Sequence, residues 1–78
     1  MKPKPLRRQH VEVLELMSRG FTRKQISARM GIPPGTVKDW MGSIQRRLGA
    51  QNGVNAVALA MASGVIRGPG AIRVEVEQ

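Results

Sequence analysis

The chain has no cysteine, and its only histidine is His10. A disulfide framework and a Cys/His zinc site are therefore both excluded. The carboxylates Glu12, Glu15 and Asp39 have no partner suited to acid/base or metal chemistry, so neither an enzyme nor a cofactor is expected. No apolar run approaches the ~18 residues of a membrane span, and the start has no long hydrophobic stretch. The cytoplasm is the expected compartment, with no membrane partner.

Acidic residues are also scarce. Five Asp/Glu against thirteen Lys/Arg give a formal charge of +8 and a sequence pI near 11.7, the balance of a protein with a polyanionic partner. Eleven of the basic side chains lie in residues 1–47, whereas 48–66 carry no charge of either sign. The chain is thus a basic body followed by a neutral apolar segment. At 78 residues it is one domain at most, near the lower size at which aliphatic packing alone holds a fold. Help from a second subunit is therefore an early expectation.

The periodicity divides the chain into an arm over 1–5, a helical domain over 6–67 and a tail over 68–78. In the domain, His10, Val13, Leu14 and Met17 recur at helical spacing and Gly20 stops the first helix. Thr22 with Gln25 forms a capping box behind Phe21, and Ile26 and Met30 face the core of a second helix ended by Gly31. Ile32-Pro33-Pro34-Gly35 is the turn into a third helix, which runs to about Leu48 with Pro34 in its first turn. Its apolar set is Val37, Trp40, Met41, Ile44 and Leu48, which leaves Lys38, Asp39, Gly42, Gln45 and Arg46 on the outer arc. Asn52 with Asn55 caps a fourth, almost wholly apolar helix over about 53–63, closed by Gly64. So apolar a helix needs cover on every side, and a second copy of the chain is the simplest cover. The tail alternates Ile72, Val74 and Val76 with charged residues, a strand-like period for which disorder is the favoured reading.

Two short helices joined by a tight turn read as a helix-turn-helix, in which the second helix enters the major groove of duplex DNA. Lys38 can donate to guanine O6/N7 or to a phosphate. Asp39 can accept from cytosine N4, or can simply favour the helix N-terminus or pair with a nearby cation. At Gly42 the backbone either approaches DNA closely or the glycine is merely tolerated. Thr22, Arg23, Lys24 and Thr36, with the first-turn amides of the third helix, are placed to hold phosphates. Gln45, Arg46 and Arg47 can touch flanking backbone, with helix-dipole stabilisation an equal alternative for Arg47. Trp40 belongs to the core rather than to a stacked base.

Val13-Leu14-Glu15-Leu16, Gly20-Phe21-Thr22-Arg23-Lys24-Gln25-Ile26-Ser27, Met30-Gly31-Ile32, Gly35-Thr36-Val37-Lys38, Ile44, Arg47-Leu48-Gly49 and Asn55-Ala56-Val57 stand in this order. Together they resemble the LuxR/GerE-type helix-turn-helix domain over about residues 6–66. The resemblance implies an all-α, four-helix fold and a bacterial or phage-encoded transcription regulator acting at the nucleoid. It also implies a third helix that reads DNA and a homodimer through the fourth helix, with Val54, Val57, Ala58 and Met61 at the interface. With no sensor or receiver segment in view, the chain is similar to the short, stand-alone members. Where the family usually has a glutamate near the start of the first helix the chain has His10, and at a usual histidine of the third helix it has Trp40. Both are inner positions, so the two rings are expected to pack together. Asp39 and Gly42 occupy two outer positions that often carry base-reading side chains in relatives. The alternative function is a protein-interaction module, or a sigma-region-like domain, with RNA polymerase or another regulator as its partner.

Overall fold

A computed structural model describes residues 6–67, so the expectations for the arm and the strand-like tail fall outside the described residues. The described chain forms α1 (Arg8–Ser18), α2 (Arg23–Met30), α3 (Pro34–Leu48) and α4 (Gly53–Ala62), with no strand. Order and bounds follow the periodicity closely.

α1 packs against all three other helices, as does α3. The buried face of α1 is correspondingly wide: His10, Val13, Leu14 and Leu16 are all buried, and Met17 is half-buried. Leu16 was not in the stripe read from the sequence; a helix covered on three sides has room for apolar residues beyond a single stripe. Ile26 of α2, Val37 and Ile44 of α3, Ala56 and Ala60 of α4, and Ile66 complete the core. A core this small leaves little stability to spare.

Local chemistry sets the helix ends. Thr22 Oγ1 accepts from Gln25 N–H at 3.1 Å while Gln25 Oε1 accepts from Thr22 N–H at 2.8 Å, so the expected capping box is formed. Asn52 Oδ1 accepts from Asn55 N–H at 2.8 Å, and Asn55 Oδ1 in turn accepts from Gln51 N–H at 3.0 Å. At the start of α1 the reach-back bond of a capping box comes from an unusual residue: His10 Nδ1 accepts from the Arg7 N–H at 3.2 Å.

Between α2 and α3 the chain reverses at Gly31, whose φ of 69° lies in the left-handed region that favours glycine. The Ile32 N–H then donates to the Ser27 carbonyl at 3.1 Å, the six-to-one bond that closes a helix in the Schellman manner. Ser27 strengthens this closure from inside, because its buried hydroxyl donates to the Ile32 carbonyl. The turn is locked in both directions, and α3 leaves it with Pro34 as its first helical residue.

Candidate nucleic-acid interface

α2 and α3 together form the face that matters. Arg23 and Lys24 are exposed in the first turn of α2, and neither α2 nor α3 has an acidic residue in its first turn. Two cations at the positive end of a helix dipole are unfavourable by a few tenths of a kcal/mol each unless an anion sits beside them. The arrangement suits an outside anion and not the isolated helix. Thr22 is exposed and uses its hydroxyl oxygen as the cap acceptor, which leaves the hydroxyl proton free to donate outward.

The first turn of α3 offers fewer amides than the sequence suggested. Thr36 and Val37 N–H groups donate to the Pro33 carbonyl at 3.0 and 3.3 Å, and Pro34 has no N–H. The Gly35 N–H and the Thr36 hydroxyl are the donors left at this end. Beyond them, Lys38, Asp39 and Arg46 are exposed while Gly42 and Gln45 are half-buried, so all five outer-arc residues reach one surface at helical spacing. Asp39 forms no ion pair with a described residue, and neither does Lys38. The glycine at 42 leaves a gap, and Nη1 of Arg46 lies 3.5 Å from where a Cβ there would stand. Sequence reading missed that relation, although the spacing of four residues would have shown it.

The inner side of α3 is held by contacts that keep this arc outward. His10 and Trp40 meet edge to face, with ring centroids 6.4 Å apart and planes at 89°, so the two exchanged residues do pack together. Trp40 thus serves the core. Burial of His10, together with the nearby Arg47 and Arg7 guanidiniums, lowers its pKa below the ordinary 6.5. Arg47 is half-buried and donates from Nε to Ser43 Oγ at 3.1 Å, which ties it to its own helix. Arg29 stacks on Phe21 with its guanidinium carbon 5.2 Å from the ring centroid, which braces the N-terminal side of α2.

α4 buries only Ala56 and Ala60 within one chain. Val54 is 81% exposed and Met61 41%, with Leu59 at 36% and Val65 at 39%. Among the expected interface residues, Val54, Ala58 and Met61 form an exposed stripe at i, i+4 and i+7, while Val57 is half-buried at its edge and packs against the core. Leu59 and Val65 extend the exposed apolar surface beyond the expected set. A cleft lined by Glu15, Ser18, Arg19 and Arg67 among others contains none of the predicted contact residues. No group of three His, Cys, Asp or Glu that could hold a metal occurs among the described residues, and no described helix is long and apolar enough to cross a membrane.

Four short helices, a locked turn and an exposed basic arc on the second helix of the pair define a helix-turn-helix module of the DNA-binding transcription regulators. Residues 4–60 match the model of the family described as bacterial regulatory proteins, luxR family. The chain belongs to that family. It is 35% identical over 60 residues to the response regulator RamR of Streptomyces coelicolor, a match covering 77% of this chain and 30% of RamR. It also superposes on VqmA of Vibrio cholera, solved as a complex with ligand and DNA, with a TM-score of 0.72 and 28% identity over 77% of this chain and 26% of VqmA. The chain therefore spans less than a third of the length of either relative.

Proposed function

We propose that residues 6–67 form a domain that binds duplex DNA sequence-specifically as a homodimer, with α3 in the major groove and α4 of each copy against α4 of the other. The observation that carries this reading is that exposed, unpaired cations at the α2 N-terminus accompany an exposed outer arc on α3, the helix that follows the locked turn. Arg23, Lys24, Thr22, Thr36 and Gln45 hold phosphates, Lys38 and Asp39 meet base edges at the start of α3, and Arg46 reaches the duplex from the same outer arc. Gly42 adds no side chain to that surface. The relative solved with DNA supports the same use of the fold. Val54, Ala58 and Met61, with Val57 at the edge, supply the contact between copies, which removes from water the apolar stripe a single chain leaves open. Such a dimer acts at the nucleoid as a transcription regulator.

The test is a mobility-shift titration with genomic DNA fragments, in the presence of random competitor and over a range of salt. Binding that survives competition and a log-affinity slope of about −0.9 per phosphate contact are expected. A salt-independent interaction, or binding to RNA polymerase with none to DNA, would overturn the proposal.

A further inference from the structure

Gly42 leaves a bare place in the middle of the arc that α3 offers to DNA, and the side chain one turn later lies across it. A Cβ at position 42 would stand 3.5 Å from Arg46 Nη1, so the guanidinium has folded back over the glycine. Helix stereochemistry favours that direction, because side chains lean toward the N-terminus and cover the turn before their own. Arg46 is exposed and makes no hydrogen bond or ion pair with any described residue. Its five N–H donors are all uncommitted. Arg47 next to it is different, being tied to Ser43.

Resting on the reading of α3 as the groove helix, we propose that Arg46 is the base-reading side chain of the middle of that helix and that it selects guanine. The chemistry is that of a planar fork: two parallel N–H groups meet guanine O6 and N7, a geometry that no other base edge in the major groove offers. Position 42 has no side chain with which to read a base, and its bareness is what brings the arginine over the arc.

The experiment is binding-site selection with the purified full chain, followed by competition between the selected site and single-base variants. The wild-type protein selects a guanine at one position of each half-site. Arg46→Lys keeps the charge but not the fork, so preference for that G·C pair falls by about tenfold or more while the salt slope is unchanged. Gly42→Gln fills the gap, displaces the guanidinium and causes the same loss, and the double variant loses no more than either alone. Gly42→Ala places its Cβ at ordinary contact distance, so it keeps the preference and raises the melting temperature. Melting curves establish that each variant is folded. The proposal is overturned if Arg46→Lys keeps the preference, or if Arg46→Ala weakens every sequence alike and flattens the salt slope by about 0.9 per subunit, the behaviour of a phosphate contact. A wild-type chain that does not bind duplex DNA at all overturns the groove reading itself, before any variant is compared.

Discussion

Acidification through the histidine range should destabilise this domain by a route that one substitution can remove. His10 is buried, and its Nδ1 accepts the Arg7 N–H at 3.2 Å at the start of α1. That bond requires an unprotonated Nδ1; once protonated, the nitrogen becomes a donor facing a donor, with the Arg7 and Arg47 guanidiniums close by. Burial first, and those two charges next, hold the folded-state pKa below 6.5. Between the folded value and 6.5 the unfolded chain binds more protons than the folded one, so this stability is complete above 6.5 and is lost as pH falls toward the folded value. A single proton limits the slope to about 1.4 kcal/mol per pH unit. Loss of a capping bond at a helix start costs about 1 kcal/mol, which for a domain of this size lowers Tm by roughly 4–8 °C. Thermal melts at pH 7.5 and 5.5, at one protein concentration, measure the difference. His10→Gln keeps an acceptor that does not titrate and should melt at nearly the same temperature at both values. An unchanged Tm in the wild type, or an equal fall in His10→Gln, would refute the reasoning.

Other expectations test the interface, the dimer and the turn. Lys38→Ala should relax base preference at one position, whereas Arg23→Ala should weaken binding to all sequences alike with a shallower salt slope; competition titrations separate the two. Val54→Glu with Met61→Glu puts charges into the proposed α4 contact and should yield a folded monomer by sedimentation, with DNA affinity reduced at least about tenfold. A dimer that survives both substitutions would exclude α4 as the contact. Ser27→Ala removes the hydroxyl that donates to the Ile32 carbonyl and should cost about 1–3 kcal/mol in denaturant unfolding, since a half-buried acceptor is left unpaired. A cost near zero would show that the turn is held by its backbone alone.

The helices and their order were legible because the chain marks each boundary with its own chemistry: Thr22 and Asn52 at starts, Gly31 and Gly49 at ends, Pro34 where an N–H is not needed. The pairing of His10 with Trp40 was legible too, as two exchanged inner residues. What escaped the sequence depended on relations between elements. Leu16 lay outside the stripe read from the sequence, and it is buried because α1 is covered on three sides. The first-turn amides of α3 looked free to hold a phosphate, but the Pro33 carbonyl accepts from the Thr36 N–H. Arg46 looked like one more phosphate cation until the empty place at Gly42 gave its guanidinium a direction.

The seat of α4 carries a consequence of its own. A Cβ on Gly53 would come within 2.9 Å of Met17 Cε and 3.3 Å of Met41 Cε, so the first residue of α4 rests on the tips of two thioether side chains, one from α1 and one from α3. Met41 belongs to the helix proposed to enter the groove, and Gly53 opens the helix proposed to join the copies. Both contacts are with the free ends of flexible side chains, so a Cβ at 53 would be met by a swing of two methionine tips, and the seat of α4 on its two neighbours is an adjustable one.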